Sequence, residues 1–419
     1  MARGTRGITR RAFLGGAAAA AGLLIVPRHV LGGPGQTPPS ETFAVGLVGC
    51  GGQGGEDVDT YIRGDGAAHK MLAVCDVDRG RMEAAMRKFG ETCQGYADFR
   101  RLVERKDLDV VSVATPPHWH ALISIAAMQA GKDVLCEKPM TKFIAEGRAV
   151  ANAAKRYGRV FQIGTAGRFG AQKSPRSRLI HKILRSGLLK DCRGVWIHRG
   201  GFNVRGYCGR VNLAPEPVPA NLDWNMYCGP APLRPYSSHR FGWSHRYYWD
   251  YEGGGLADLG HHYMDPFQWV YGKDDTSPVE VEAYAPPAHP EACGLWGWVE
   301  LRYADGLTLV LDGAEWGKPY DRKAPRHVEP TDLAPEDLKK VEAMPDPEPL
   351  LTFPEAVRSR KQAGGHAEAS HRVATILHLS NIAIRMGRKI RYDPVKEQIV
   401  GDEEANRLVN QPMRAPWHL

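Results

Sequence analysis

Along the chain, short apolar runs first alternate with amphipathic stretches and later give way to a different rhythm. Residues 43–48 form an apolar run followed by a glycine cluster and a helical stretch, and 71–74 form a second run ending in Cys75-Asp76-Val77-Asp78. The β-branched run 108–114 reads as a buried parallel strand with Thr115-Pro116-Pro117-His118-Trp119-His120 at its carboxyl end. A helix follows over 121–130, closed by Gly131, and then another strand over 133–136. Strand–helix alternation of this kind predicts a parallel α/β sheet. After about Gln162 the alternation stops. Residues 195–202, 279–285, 296–304 and 307–315 read as strands, the last two joined at Asp305-Gly306, which predicts an antiparallel sheet. A helix is expected over 366–386, and the seven prolines of 319–349 read as an extended surface excursion.

Composition narrows the classes. Of 419 residues, 43% are hydrophobic and 24% charged, which excludes disorder, collagen and coiled coil. The net charge of +8 hints at nucleic acid until it is located. Residues 1–40 hold Arg3, Arg6, Arg10, Arg11 and Arg28 and no acid, leaving +3 on the remainder, so no nucleic-acid partner is expected. Thr9-Arg10-Arg11-Ala12-Phe13-Leu14 opens an uncharged stretch over 12–27 and resembles a bacterial twin-arginine export signal. Its 16 residues fall short of a bilayer span, so stable membrane insertion is not expected. Residues 1–40 are therefore read as leader and linker, with the twin-arginine machinery as partner and a periplasmic or other extracytoplasmic location. The eight cysteines contain no C-x-x-C pair and are read as free thiols, although Cys208 and Cys228 could pair outside the cytoplasm.

The candidate chemistry begins at Gly49-Cys50-Gly51-Gly52-Gln53-Gly54, a G-x-G-x-x-G between strand and helix. In such a fingerprint Gly49 permits the turn, Gly51 lets backbone approach a pyrophosphate, and Gly54 lets helix and strand pack closely. Asp76 lies 22 positions beyond Gly54, where an acid accepts from the adenosine ribose 2′-hydroxyl and repels a 2′-phosphate. This favours NAD over NADP, modestly, because Arg79 and Arg81 follow at once. Residues 41–162 are accordingly read as an α/β Rossmann domain, and 163–419 as an α+β domain with an open, mostly antiparallel sheet, helix 366–386 being placed to pack back on the first domain. The histidines His118, His120, His261 and His262 lack any H-E-x-x-H or Cys/His ligand spacing, and no metal is expected.

The fingerprint, Asp76, the Thr115-Pro116 loop with His120, and Gly131-Lys132-x-Val134-x-Cys136-Glu137-Lys138-Pro139, in this order, resemble the glucose-fructose oxidoreductase, inositol dehydrogenase and rhizopine catabolism (Gfo/Idh/MocA) family. The resemblance implies a cofactor site built from Gly49, Gly51, Gly52, Gln53, Gly54, Asp76, Thr115, Pro116, His120, Glu137 and Lys138. It also implies a cis bond at Lys138-Pro139 and a homodimer or homotetramer joined through the second sheet. The family pattern D-x-x-x-H-x-x-D falls on Asp258, His262 and Asp265. Four-residue spacing puts Asp258 and His262 on one helical face, so the carboxylate is expected to orient the imidazole. Resemblance makes Lys138, Asp258 and His262 the catalytic group: His262 as acid/base, Asp258 as its orienter, Lys138 stabilising alkoxide charge, with Glu137 near the nicotinamide ribose. Arg168, Trp243 and Tyr251 are candidate substrate contacts.

The expected function is hydride transfer between nicotinamide and a carbinol carbon of a sugar, sugar derivative or inositol. Export sharpens it, since little free nicotinamide lies beyond the membrane: the cofactor should be tightly held and the reaction should regenerate it. The alternative is a redox-neutral glycosidase, lyase or epimerase working through a transient keto-sugar. Family-related glycosidases carry a tyrosine-and-histidine segment where this chain has Asp258 to His262, which tilts the reading toward the oxidoreductase. A non-catalytic sugar-binding protein would be expected to lack Lys138 or His262, and both are present.

Overall fold

A computed structural model of the chain describes residues 41–189, 195–322 and 327–419. The leader with Arg10 and Arg11 lies outside the described residues. The first domain is a six-stranded parallel sheet in the order β3-β2-β1-β4-β5-β6, formed by β1 (Thr42–Val48), β2 (Ala68–Cys75), β3 (Gln94–Tyr96), β4 (Val110–Val113), β5 (Asp133–Glu137) and β6 (Phe161–Gly164). Val110 to Val113 and Asp133 to Glu137 are buried throughout, as strands covered on both faces by helices must be. Those helices include α1 (Gln53–Val58), α2 (Arg79–Phe89), α3 (His120–Gln129) and α4 (Ile144–Tyr157). Strand order reverses between β1 and β4, and the crevice at that switch point is where an open α/β sheet takes its ligand.

The second sheet, in the order β12-β11-β8-β9-β10-β7, holds β7 (Val195–Arg199), β8 (Glu280–Tyr284), β9 (Trp298–Arg302), β10 (Thr308–Asp312), β11 (Ile390–Asp393) and β12 (Gln398–Ile399). The β9–β10 hairpin turns at Asp305-Gly306, as the sequence predicts, with Gly306 at φ 90°. All pairs are antiparallel except β7 with β10, so the sheet is mixed. Between the β7 and β8 strands the chain makes a long irregular excursion, including the short helix α5 (Trp224–Cys228), before entering α6 (Gly254–Val270). The proline-rich stretch is not wholly extended: Pro335–Glu342 is a helix that buries Val341 completely.

Helix α7 (Ala367–Met386) joins the two domains. Its Ala367 and Ala374 pack into the core of the first domain, while Val373, Ile376 and Leu377 belong to that of the second. Gly147 of α4 allows the approach: a Cβ there would meet His371 Nδ1 at 2.4 Å. Arg148 then pairs with Glu368 at 2.6 Å and Glu397 at 2.8 Å. All seven described cysteines, Cys208 and Cys228 among them, are free.

Candidate active site

The turn after β1 is built around Gly49. At φ 96° it adopts a conformation that side chains disfavour, and a Cβ would lie 2.5 Å from the Ala114 carbonyl oxygen. A Cβ on Gly54 would come within 2.4 Å of Leu47, so this glycine permits α1 to lie against β1. A cavity of about 360 Å³ opens over the carboxyl ends of β1, β2, β4 and β5. Gly49, Gly51, Gln53, Asp76, Thr115, Pro116, Glu137 and Lys138 line it; Gly54 lies behind it against Leu47 and Ala114, and Gly52, at φ 119°, is an exposed turn residue.

At one end Asp76 receives the amides of Cys50 (2.7 Å) and Asp78 (2.8 Å), one on each carboxylate oxygen. Burial pushes its carboxyl upward and these donors oppose the shift. Each oxygen keeps a further lone pair for a ribose hydroxyl. Of the two arginines that follow, Arg81 lines the cavity and stacks 4.9 Å over the Phe241 ring, whereas Arg79 is exposed beside Glu83.

At the other end Lys138 Nζ donates to Asp258 Oδ1 at 2.6 Å and lies 3.8 Å from Glu137. Burial works against charge on Lys138, but Asp258 and Glu137 outweigh it, and the ammonium is held more firmly than usual. Burial likewise opposes charge on Asp258, and Lys138 with Arg246 outweigh it, bringing that carboxyl down to about 2. Glu137 goes the other way. Burial and neighbouring Asp57 push it up to about 8. The Lys138-Pro139 bond is cis, as the resemblance implied.

The expected partnership of Asp258 with His262 does not form. Asp258 Oδ2 accepts from the Tyr207 hydroxyl at 2.5 Å and lies 3.1 Å from Arg246 Nε, so both oxygens serve other groups. His262, one turn along α6, stands outside the cavity wall with part of its surface in solvent, and its pKa is lowered by partial desolvation and by Lys138. Neighbouring His261 is wholly buried, and neither of its ring nitrogens has a hydrogen-bond partner among the described residues.

Three further expectations are corrected. His120 does not face the cavity: its ring nitrogens lie 2.9 Å from the Pro139 carbonyl and 2.7 Å from that of Thr115, bracing the two loops beneath Lys138. Arg168 is no substrate contact, because it is 0% exposed and bound to Asp265 (2.6 Å) and Asp274 (3.1 Å). Tyr251 is also 0% exposed, packed against His118 and Tyr227. A long polar side chain next to a fingerprint reads the same in sequence whether it faces a cleft or ties two elements together. Trp243 does line the cavity, 62% exposed.

The irregular excursion supplies what periodicity could not locate. Arg246 stacks 4.0 Å over Trp243 and reaches Asp258. His245 lines the cavity with Nε2 2.9 Å from buried Glu252 and Nδ1 2.6 Å from the Gly242 carbonyl, so both nitrogens are engaged. Met226, Tyr227 and Phe241 close the same wall. The usable signal was the density of aromatic and basic residues in Phe241-Gly242-Trp243-Ser244-His245-Arg246. Among the described residues no group of three or more His, Cys, Asp or Glu is arranged to hold a metal ion, and no helix is long and apolar enough to cross a membrane.

A glycine cradle, an acid at the end of β2 and an anchored lysine at the end of β5 define a two-domain protein with a dinucleotide-type cavity. Residues 43–165 match the family model described as oxidoreductase family, NAD-binding Rossmann fold, and 174–419 match the oxidoreductase family C-terminal alpha/beta domain. The chain belongs to the Gfo/Idh/MocA oxidoreductase family. Inositol 2-dehydrogenase 1 of Saccharopolyspora erythraea is 37% identical over 129 residues, which are 30% of this chain and 38% of that protein. A glycosyl hydrolase family 109 protein of Solibacter usitatus is 31% identical over 127 residues, 28% of each. These alignments thus span well under half the length of the curated relatives. In solved structures the fold recurs in the WlbA dehydrogenase of Bordetella pertussis in complex with NADH and UDP-GlcNAcA, with TM-score 0.56, 18% identity, 84% of this chain and 98% of that one covered. Apo levoglucosan dehydrogenase gives TM-score 0.51 at 17% identity, covering 84% and 99%.

Proposed function

We propose that the chain is an NAD-dependent oxidoreductase that exchanges hydride with a carbinol carbon of a sugar, sugar derivative or inositol. The observation that carries this is the Lys138–Asp258 anchor, at 2.6 Å, in the same cavity as Asp76. The cavity residues fit a dinucleotide: the glycine turn leaves room for a pyrophosphate, and Asp76 keeps free lone pairs toward a ribose. Its charge also favours NAD over NADP. When bound, NAD would supply a hydride acceptor.

The chain's own groups would do the rest. Lys138, kept cationic by Asp258, donates toward the substrate oxygen as alkoxide charge develops. Asp258 is a positioning residue for Lys138 instead of an orienter of His262. The His262 ring makes no side-chain hydrogen bond among the described residues, has a lowered pKa, and stands outside the cavity wall but close enough to Lys138 to feel its charge. Its neutral form is the base we assign to a substrate hydroxyl that reaches past Lys138 toward α6. Trp243 and Arg246 offer a flat face and a donor edge to a polyhydroxylated substrate.

The likeness to inositol 2-dehydrogenase 1 supports a polyol or sugar substrate. A second reading, redox-neutral glycoside cleavage, is favoured by the likeness to the glycosyl hydrolase family 109 protein. The deciding experiment denatures protein purified without added cofactor and identifies the nicotinamide dinucleotide released, then incubates the native protein with inositols, sugars and aryl glycosides. Reduced cofactor with a polyol supports the oxidoreductase; free aglycone without added acceptor overturns it in favour of cleavage. The leader fits twin-arginine export of a preloaded protein, and secretion of a 1–40 reporter fusion that survives Arg10→Lys with Arg11→Lys would discard that.

A further inference from the structure

Residues 414–417 run back across the outside of the cavity and hold both of its walls. On the second-domain side Arg414 makes four hydrogen bonds to the segment around α5. Its amide donates to the Pro230 carbonyl (2.9 Å), Nε to that of Gly229 (2.9 Å), Nη1 to Asn225 Oδ1 (2.7 Å) and Nη2 to the Asn225 carbonyl (2.8 Å). That segment supplies Met226 and Tyr227 to the cavity wall. On the Rossmann side Trp417 meets the Trp119 ring edge-on at 4.7 Å and lies 6.3 Å from Phe99, with Arg100 stacked 5.1 Å over its own ring. Trp119 and Phe99 also line the cavity.

The two walls touch directly at the same end. Asp223 donates its amide to the Val77 carbonyl at 3.0 Å, and Arg79 donates to that of Asn221 at 2.9 Å, just beyond Asp76. Trp119 Nε1 donates to the Tyr227 carbonyl at 3.1 Å. For this end to open, α5 must part from the Rossmann wall, and it then has to leave either Arg414 or the surface on which Trp417 sits. Neither Arg414 nor Trp417 lines the cavity, so their influence on an occupant runs through the walls they hold.

We infer that Arg414 and Trp417 form a strap that closes the cavity at its Asp76 end and sets how long a nicotinamide dinucleotide stays bound. The inference rests on the dinucleotide reading of this cavity and would give the expected tight hold on the cofactor a structural cause. Linkage is reciprocal: whatever factor the strap adds to cofactor affinity, the cofactor adds to the stability of the closed strap.

The test uses the full chain loaded with NADH, following fluorescence as excess NAD displaces it. Arg414→Ala and Trp417→Ala should each release NADH about tenfold faster while association changes by less than about threefold, because loss of retaining contacts appears mainly in the off-rate. Release at the wild-type rate from both variants overturns the strap. Hydrogen exchange on the wild-type chain provides an arm independent of any variant's folding. NADH should slow exchange at the Arg414 and Trp417 amides, although neither residue faces the cavity, and unchanged exchange there overturns the inference. Should the wild-type chain fail to bind NADH at all, the dinucleotide reading falls and the strap with it; tight binding with no effect in either arm removes the strap alone.

Discussion

The cavity has two walls of different origin. The Rossmann wall is made from strand ends and the turns that follow them, so each contributing residue sits at a fixed offset from an apolar run: Gly49 after β1, Asp76 after β2, Thr115 after β4, Lys138 after β5. The opposite wall is made from the excursion between β7 and α6, where Met226, Phe241, Trp243, His245 and Arg246 follow no period. Regular backbone places side chains by geometry common to all chains of that pattern. Irregular backbone places them by individual hydrogen bonds, such as His245 to the Gly242 carbonyl, that no spacing announces. The first wall should therefore carry cofactor and chemistry, and the second the choice of substrate.

The sharpest way to break this division is at the lysine that the first wall offers to the second. Replacing Lys138 by Met should lower kcat by about 10³-fold, since a charge stabiliser in a desolvated site is worth several kcal/mol. The dinucleotide should remain bound, because Asp76 and the glycine turn are untouched. Stopped-flow turnover together with NADH fluorescence titration measures both. Loss of cofactor binding along with activity would mean that Lys138 serves the first wall alone.

The next effect in size is on proton transfer. His262 has a pKa below the ordinary 6.5, so its ring is neutral at pH 7 and becomes protonated as pH falls. For alcohol oxidation, which needs the unprotonated base, kcat/KM should decline on the acid side with an inflection below 6.5. Asp258 cannot supply that limb, because Lys138 and Arg246 hold it near 2 against burial. Glu137, pushed up to about 8, would add a second inflection near that pH. His262→Asn should abolish the acid limb and cost about 10²-fold in kcat, the usual worth of a general base. A profile in which the variant keeps the limb would move the base elsewhere.

These two residues mark how far the sequence could be read. Parallel sheet, switch point, fingerprint and Glu137-Lys138-Pro139 were legible because burial on both faces forces apolar runs and strand ends force turns. The spacing of Asp258 and His262 was legible too, but their partnership was not. An i, i+4 relation says that two side chains share a face, and Lys138, Tyr207 and Arg246 arrive at Asp258 from three other parts of the chain. Arg168 failed for a related reason: its partners, Asp265 and Asp274, are about a hundred residues away. The parallel pairing of β7 with β10 was hidden because a strand shows its faces in sequence and not its neighbour's direction.

A smaller effect sharpens the claim for the first wall. Asp76→Asn keeps the shape and one acceptor oxygen while removing the charge. The preference for NADH over NADPH should fall by about tenfold, equivalent to about 1.4 kcal/mol, as measured by competitive titration. Arg81, already at the cavity, would then face an incoming 2′-phosphate without the opposing carboxylate. An unchanged preference would show that discrimination lies outside this wall.

The smallest expected effect bears on the second wall and is the most discriminating. Trp243 is 62% exposed and touches the rest of the site through Arg246, stacked at 4.0 Å. Trp243→Ala should leave thermal stability within about 0.5 kcal/mol, as for most exposed positions. If the ring serves as a face for substrate, KM should rise by about two- to fivefold at constant kcat, since an exposed cation–π or stacking contact is worth about 0.5–1 kcal/mol. If its role is to hold Arg246 against Asp258, then Lys138 loses part of its anchor and kcat falls while KM stays put. The split between KM and kcat thus decides whether the irregular wall selects substrate or completes the catalytic group. Only the first outcome leaves the division between the walls intact.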